Sequence, residues 1–439
     1  MALLKSSPSK LYNFLKHNGL SRAALFKDNL ESGVGKFLPS NPVLTPLADE
    51  VNSLSDHADH EGVYLQISKQ STSTIFGAFI HRSVRGQGCG GIRFWPYDLS
   101  EGFFRDGLRL SRGMSRKSAL AGLWWGGGKG VVIRDKDHDW SDPLMRMTLF
   151  QEYGEFITSL QGLYVAAEDV GMTSNDLGSV FSTSRFATCI PPQLGGSGNP
   201  SPATAMGVIC AAEAAFRFLD GSTLEGKTVA MEGGGNVSFP MMQELLRKGV
   251  RHITATDIDA DRLELIQQAF PGDARLELRL VKPGDHSIYE EEAELVMPNA
   301  LGGTLNPTTI PLLRTRVVCG AANNQLLDEA RDAKLLAQRG ITYVPDFVAN
   351  RMGIVNCANE QYGYVANDDA ITRHYGTAWN HSIPNITTSV LERAKTHGVT
   401  TAEAAEALAD EYIKTPHPIF PHRGADIART LRDSWGRTK

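Results

Sequence analysis

The chain has 439 residues, which is long enough for two domains with separate hydrophobic cores. Its hydrophobic content of 41% and charged content of 21% are ordinary for a soluble globular protein. The formal net charge of -5 argues against nucleic acid or an anionic membrane surface as a partner. No apolar run approaches membrane-spanning length. Five cysteines without a C-x-x-C pair and twelve histidines without ligand spacing predict no metal site.

Residues 1–50 form an N-terminal extension to which the sequence assigns no role. Residues 1–27 are basic and lack acidic side chains, a composition compatible with an organellar transit peptide. The alternative is an amphipathic helix containing Leu11, Phe14 and Leu15, followed by a loop over residues 39–46. The expected compartment is the cytoplasm, or an organellar matrix if residues 1–27 are a transit peptide.

Residues 51–194 are expected to form a first domain. Strands are predicted over 63–67 and 74–80, followed by a turn-prone segment over 81–94 that contains Cys89 and Gly90. Apolar spacing predicts a helix over 99–120. Three glycines, 126–128, are expected to break that helix and to form a loop from which Lys129 projects, before a short buried strand over 131–133.

The segment Ala166–Gly171 follows another strand-like stretch. Asp169 is open to two interpretations here: it caps a helix that starts near Ser174, or it is a functional carboxylate. Glu168 beside it is interpreted as structural.

Residues 195–202 have turn composition and mark a domain boundary, with Gly195–Gly198 as a plausible hinge. Ser201 and Pro202 open a helix. Residues 195–394 are then expected to form a Rossmann domain, and residues 395–439 a C-terminal segment that returns to the first domain.

The Rossmann prediction depends on one unit of strand, glycine turn, helix and strand. A strand over 228–231 precedes the loop Gly233–Ser238, a helix follows over 239–248, and a second strand over 252–256 ends in Asp257. In this context Gly233 makes the tight turn and Gly235 lets the backbone approach a pyrophosphate, with Asn236 and Val237 in the same loop. Asp257 would bind a ribose hydroxyl and repel a 2′-phosphate, which favours NAD over NADP.

Five sequence blocks occur in the order found in one enzyme family. They are RGMSRK with GLWWGGGKG, AAEDVG, GGSGNPSPATAMG, the segment from VMPNALGG to CGAANNQL, and PDFVAN. Together they make the chain resemble the amino-acid dehydrogenases that act on Glu, Leu, Phe and Val, and among these most closely the leucine dehydrogenases. The resemblance covers roughly residues 60 to 439. It implies an α/β architecture, with a mixed-sheet domain for substrate binding and oligomerisation and a Rossmann-type NAD-binding domain.

The resemblance also implies roles for single residues. Lys129 is the catalytic lysine and Asp169 the catalytic aspartate, while Lys117 holds the substrate carboxylate. Asn324 is implied as a further contact to that carboxylate, Thr204 lies near the nicotinamide carboxamide, and Asn299 belongs to a strand end that faces the nicotinamide.

The side-chain pocket is where the sequence departs from its relatives. Glutamate dehydrogenases carry a lysine where this chain has Cys89, before the glycine pair that begins at Gly90; an apolar substrate is therefore favoured. Ile354 and Cys357 match positions that line the pocket in leucine dehydrogenases. Arg351 is unusual for the family and is interpreted as an exposed residue at a helix start; if it points inward, the pocket is altered.

The sequence therefore predicts reversible NAD-dependent deamination of an apolar, leucine-like L-amino acid to its 2-oxo acid and ammonia, by a homo-oligomer. Two alternatives stay open: an aromatic amino acid or valine as substrate, or a non-catalytic NAD-binding regulatory protein. Lys129 is expected to act as a general base with a pKa lowered by burial and by the charge of Lys117.

Overall fold

The computed structural model describes residues 2–27, 35–57, 59–363, 365 and 367–435. The chain forms two compact units. Unit 1 comprises Met1–Gly198, Glu360–Tyr364 and Glu411–Lys439, and unit 2 comprises Asn199–Asn359 and Val365–Asp410. Each contains its own sheet, and the predicted α/β class with one mixed and one Rossmann-type sheet is confirmed.

Unit 1 is built on a seven-stranded mixed sheet with the order β2-β1-β3-β4-β6-β5-β7. Its strands are β1 (Arg22–Lys27), β2 (Phe37–Pro39), β3 (Gly62–Ile67), β4 (Ile75–Arg82), β5 (Gly88–Trp95), β6 (Gly126–Ile133) and β7 (Tyr164–Glu168). Strands β6, β5 and β7 run parallel to one another, whereas the pairs from β2 to β6 are antiparallel. The carboxyl ends of three parallel strands therefore share one edge of the sheet.

Helices cover both faces of this sheet. They are α1 (Pro8–His17), α2 (Thr45–Asn52), α3 (Ser100–Leu120), α4 (Pro143–Ser159), α5 (Ser174–Phe181) and, near the end of the chain, α15 (Arg423–Ser434). One apolar cluster joins the sheet to α1, α2 and α3, and a second joins it to α4, α5 and α15. Residues 2–27 and 35–50 belong to these layers, since Leu11 of α1 and Leu25 of β1 are almost fully buried.

Two predictions in unit 1 are wrong. The turn-prone segment over 81–94 contains strand β5, and the glycine loop before Lys129 is the start of strand β6. The glycines are required by close packing: a Cβ on Gly127 would lie 2.1 Å from Ser115 Oγ, and a Cβ on Gly90 would lie 1.9 Å from the Gly128 carbonyl oxygen. Here glycine marks close approach of backbones rather than a turn.

Unit 2 is built on a six-stranded sheet with the order β10-β9-β8-β11-β12-β13, parallel throughout. Its strands are β8 (Thr228–Glu232), β9 (His252–Asp257), β10 (Leu276–Leu280), β11 (Leu295–Pro298), β12 (Val317–Val318) and β13 (Thr342–Tyr343). This is the 3-2-1-4-5-6 order of a dinucleotide-binding sheet, with the switch of direction between β8 and β11. Ligands bind such sheets at the carboxyl edge beside the switch.

The helices of unit 2 are α6 (Ser201–Asp220), α7 (Ser238–Arg247), α8 (Ala260–Ala269), α9 (Glu329–Gln338), α10 (Asp346–Ala349), α11 (Met352–Glu360), α12 (Asp369–Thr372), α13 (Ile383–His397) and α14 (Thr401–Ile413). The last residue of α11 and the last three residues of α14 belong to unit 1. The predicted helix beginning at Ser201 is confirmed. Among the described residues α6 alone has the length and apolar composition of a membrane span, but 61% of that stretch is buried, as in the core helix of a globular domain.

Candidate active site

A buried ion pair lies beside the carboxyl end of strand β7 in unit 1. Lys129 Nζ, on β6, donates a hydrogen bond to Asp169 Oδ2 over 2.6 Å, and Asp169 directly follows β7. The two side chains are 5% and 16% exposed. The structure therefore brings the two predicted catalytic residues together, although they are 40 positions apart in the chain.

Asp169 does not cap the following helix. Helix α5 is capped by Thr173, whose hydroxyl accepts from the Asp176 amide, while the Asp176 carboxylate accepts from the Thr173 amide. The carboxylate of Asp169 is consequently available to Lys129 rather than committed to a helix start.

Two residues of β5 that were not predicted from the sequence contact Asp169 of this pair. Arg93, on β5, places Nε 3.4 Å from Asp169 Oδ2. Gly91, also on β5, makes room for the carboxylate, because a Cβ there would lie 2.6 Å from Asp169 Cβ. The signal for Arg93 was present in the sequence as a single charge within the apolar run Ile92-Arg93-Phe94.

Burial and charge act on the pair in opposite directions. Burial lowers the pKa of Lys129 below its ordinary value; Arg93 lowers it further, and Asp169 opposes the shift. Burial alone would raise the pKa of Asp169, but the positive charges of Lys129 and Arg93 outweigh it and lower that pKa. The direction of this shift and burial as its first cause agree with the prediction, and Arg93 is a second cation that lowers the Lys129 pKa. The contribution expected from Lys117 stays a prediction.

The remaining predicted substrate residues of unit 1 lie on β5 and α3. Cys89 is fully buried, and burial raises the pKa of its thiol well above the ordinary value, so the side chain is neutral. Gly90 accepts a 2.6 Å hydrogen bond from the Tyr164 hydroxyl at its carbonyl oxygen. Lys117 lies in the last turn of α3 and is partly exposed.

In unit 2 the glycine loop connects β8 to α7. Gly233 has φ of +92°, the left-handed conformation that the tight turn requires of a glycine. The amide of Gly234 donates a 2.6 Å hydrogen bond to Asp257 Oδ2 at the end of β9. Asp257 is therefore fixed beside the loop, with its second oxygen accepting from the Asp259 amide at 2.9 Å.

The rest of the loop is held by a residue from α8. Arg262 donates from Nε to the Gly234 carbonyl and from Nη2 to Asn236 Oδ1, both at 2.8 Å. A Cβ on Gly235 would meet nothing within 4 Å, so the space beside this residue is open. Val237 immediately precedes the first residue of α7, whose N-terminus favours an anion.

Three more predicted contacts lie around the same edge of unit 2. Asn299 follows β11 and accepts from the Ala321 amide at 2.7 Å, so its side chain joins two strand ends. Thr204, near the start of α6, donates to the Pro200 carbonyl at 3.1 Å. Asn324 has φ of +53° and is exposed, with its amide donating to Asp346 Oδ2 at 2.7 Å.

The interpretation of Arg351 as an exposed residue is wrong, because its side chain is fully buried. Its guanidinium donates to the His381 carbonyl, and burial lowers its pKa to about 9. The nearby imidazole of His374 has a pKa lowered to about 3, first by burial and then by the charge of Arg351. Arg351 precedes α11, on which Ile354 and Cys357 are both buried.

Comparison with known proteins agrees with both units. The model of the Glu/Leu/Phe/Val dehydrogenase dimerisation domain matches residues 63–186, and that of Glutamate/Leucine/Phenylalanine/Valine dehydrogenase matches residues 195–261 and 268–416. Leucine dehydrogenase of Bacillus cereus is 36% identical over 86% of this chain and 98% of its own length. Valine dehydrogenase of Streptomyces coelicolor is 36% identical over 84% and 97%.

A solved structure is similar as well. The crystal structure of L-tryptophan dehydrogenase from Nostoc punctiforme superposes with a TM-score of 0.66 at 33% identity, covering 81% of this chain and 96% of that one. The chain thus belongs to the Glu/Leu/Phe/Val dehydrogenase family and is an amino-acid dehydrogenase, an oxidoreductase that acts on CH–NH2 donors.

Proposed function

We propose that this chain catalyses the reversible NAD-dependent oxidative deamination of an apolar, leucine-like L-amino acid to its 2-oxo acid and ammonia. The observation that carries the proposal is the buried Lys129–Asp169 pair, an amine and a carboxylate held 2.6 Å apart. A non-catalytic regulatory protein would have no use for a buried amine with a lowered pKa, and the alternative reading is disfavoured for that reason.

The proposed reaction assigns one task to each residue of unit 1. Lys117 binds the substrate carboxylate as a charge partner. NAD, when bound to unit 2, would supply the acceptor for the hydride that leaves the substrate Cα. Asp169 exchanges protons with the substrate nitrogen, and Lys129 takes a proton from the water that adds to the resulting iminium carbon. Asp169 then protonates the nitrogen of this carbinolamine, and its hydroxyl group gives up a proton to solvent. The C–N bond breaks, ammonia leaves and the 2-oxo acid remains.

The lowered pKa of Lys129 supports its role as the base. A lysine at its ordinary pKa is almost wholly protonated near neutral pH and cannot accept a proton. Burial removes water that would stabilise the ammonium form, which brings the amine closer to the pH at which the enzyme works.

NAD fits the residues of unit 2. The glycine turn at Gly233, the amide-bound Asp257 and the N-terminus of α7 stand at the switch point between β8 and β11. These groups, with Asn236 of the same loop, would hold the pyrophosphate and the adenosine ribose. Thr204 and Asn299 would lie toward the nicotinamide, as the family resemblance implies. Asp257 would repel a 2′-phosphate, so we propose NAD rather than NADP.

The buried, neutral Cys89 supports an apolar substrate. The side-chain carboxylate of a glutamate substrate would be buried beside Cys89 without a charged partner, at a cost on the order of several kcal/mol. An apolar side chain instead gains about 25 cal/mol per Å² of area removed from water. Valine and aromatic amino acids remain alternative substrates, since relatives are named for valine and for tryptophan.

We also propose that the enzyme is a cytoplasmic homo-oligomer. Residues 63–186 match the family's dimerisation domain, which supports self-association. Size-exclusion chromatography with light scattering measures the number of copies directly.

Measuring NADH production with each of the twenty amino acids tests the proposed function. The best of Leu, Val, Ile, Phe and Trp should exceed glutamate at least about a hundredfold in kcat/KM, about 2.7 kcal/mol in the transition state. A preference for glutamate or aspartate would overturn the apolar assignment. If Arg351→Ala then removed that preference, Arg351 would be the residue that binds the acidic side chain.

A further inference from the structure

We propose that Arg93 and Asp106 are positioning residues for the Lys129–Asp169 pair, and that together the four side chains form a row of alternating charges. The inference rests on the proposed function in one respect, the role of Lys129 as the base. It adds two residues that act on the reaction without being required to touch the substrate.

The geometry of the row is continuous. Lys129 Nζ lies 2.6 Å from Asp169 Oδ2, and the same oxygen lies 3.4 Å from Arg93 Nε. Arg93 Nη1 then donates to Asp106 Oδ2 at 3.0 Å. Tyr97 donates its hydroxyl hydrogen to that same Asp106 oxygen at 2.7 Å.

Each member of the row comes from a different part of unit 1. Lys129 is on β6, Arg93 on β5, Asp169 at the end of β7 and Asp106 on α3. Their side chains are 5%, 19%, 16% and 29% exposed. Charges that are this poorly solvated act on each other more strongly than surface charges, because less water screens them.

Because the charges alternate along the row, Arg93 and Asp106 have opposite effects on the Lys129 amine. Arg93 disfavours the ammonium form of Lys129 and so lowers its pKa, whereas Asp106 favours that form and raises it. Two further titratable groups interact electrostatically with the pair. Cys89, a neutral thiol, interacts with Lys129, and Glu168, whose pKa is raised by burial and then by Asp176 and Asp169, interacts with Asp169. Tyr97 is also neutral, because burial and Asp106 raise its pKa.

A purely structural role for these residues predicts something different. If Arg93 and Asp106 only braced β5 against α3, removing either one would loosen the site and reduce activity without a directed change in pH dependence. If they act through charge, the two removals shift the protonation of Lys129 in opposite directions.

The test measures kcat/KM for deamination against pH with NAD and the best amino acid from the panel. The acid limb of this profile reports the base in the free enzyme. Arg93→Met should move that limb to higher pH by roughly 0.5 to 1.5 units, and Asp106→Asn should move it to lower pH by a similar amount. Arg93→Lys keeps the charge and should leave the limb near its original position.

Matched controls remove the same charges elsewhere in unit 1. Arg109 lies on the same helix as Asp106, but its side chain is 61% exposed, so Arg109→Met is the control for Arg93→Met. Asp98→Asn, which removes a carboxylate that is 88% exposed, is the control for Asp106→Asn. Neither should move the limb. Competitive labelling of the Lys129 amine with acetic anhydride at a series of pH values gives the same pKa without relying on turnover.

The outcomes separate the two proposals. Opposite shifts in the two variants support the row of charges. Shifts in the same direction, or no shift in either variant, overturn it. If Arg93→Met does not fold, Asp106→Asn decides: an acid limb moved to lower pH supports the row of charges, and any other result overturns it. If the wild-type enzyme oxidises no amino acid, the proposed function fails, while the labelling experiment still tests the effect of Arg93 and Asp106 on Lys129.

Discussion

A lysine on a protein surface is solvated and protonated at neutral pH, whereas Lys129 has little water around it. Strand β6 lies between β4 and β5. Arg93 approaches the Lys129 amine from the adjacent strand β5, and Asp169 approaches it from the end of β7, on the far side of β5. The position of Lys129 on β6 therefore determines the protonation of its amine. Burial lowers its pKa, and the hydrogen bond to Asp169 fixes its direction.

Replacing Lys129 by alanine should reduce kcat by at least about a hundredfold, since general base catalysis typically contributes 10²–10⁴. NADH affinity should stay within a few-fold of wild type, because Lys129 lies in unit 1 and the glycine loop in unit 2. Steady-state kinetics and fluorescence titration with NADH measure the two effects. Lys136→Ala is the control, an exposed lysine of unit 1 paired with Asp98. Turnover above roughly a tenth of wild type would exclude the general-base role.

Asp257 should give at least about tenfold preference for NAD over NADP, about 1.4 kcal/mol. Its carboxylate is held beside the loop by the Gly234 and Asp259 amides, so its charge has a fixed place. Asp257→Ser should narrow the ratio of kcat/KM for the two cofactors. Asp261→Ser is the control, an exposed acid in the first turn of α8. Equal rates with both cofactors in the wild-type enzyme would mean that the carboxylate does not face the ribose.

At the scale of elements, the glycines of β5 and β6 determine how closely unit 1 can pack. Helix α3 lies so near β6 that Ser115 occupies the space where a Cβ of Gly127 would be. The same close approach brings Lys129 and the Cys89–Gly90 segment onto adjacent strands. The substrate residues are therefore gathered by backbone packing that only glycine permits.

Gly127→Ala should destabilise unit 1 by about 1–3 kcal/mol or more, because the added methyl group would meet Ser115 Oγ at 2.1 Å and the Ser111 carbonyl at 2.3 Å. Gly113→Ala, within α3, is the matched control. A Cβ at Gly113 meets nothing within 4 Å, and alanine favours a helix interior by about 0.5–1 kcal/mol. Urea unfolding of both variants measures the difference. Equal stability of the two variants would contradict the packing argument.

At the scale of the whole molecule, the parts predicted correctly are those with a local signal. Helix α3, the helix beginning at Ser201 and the unit from β8 to Asp257 all follow from periodicity, capping residues or a glycine turn. Strand β5 and the start of β6 were missed because glycine runs usually indicate turns, and their strand conformation depends on neighbours distant in sequence. Burial of Arg351 was missed for the same reason, since its partner His381 is 30 positions away.

Residues 2–27 are part of the architecture of unit 1. Strand β1 lies between β2 and β3, with pairs from Arg22 opposite Gln66 to Phe26 opposite Gly62. Its side chains alternate between the two apolar clusters, Leu25 on one face and Phe26 on the other. Helix α1 adds Leu11 and Leu15 to the cluster that contains Leu25. The transit-peptide interpretation predicts none of these contacts, because a cleaved segment does not contribute to the mature core.

Deleting residues 2–27 should therefore prevent unit 1 from folding. Burial of Leu3, Leu11, Leu15, Leu20 and Leu25 contributes on the order of 10 kcal/mol, comparable to the whole stability of a typical domain. The deletion would also leave an edge of β3 unpaired, which favours aggregation. Soluble yield, circular dichroism and NADH production measure the effect. The variant Lys10→Ala removes an exposed basic residue of the same segment and should behave like wild type. A soluble, fully active deletion variant would instead favour a dispensable leader segment.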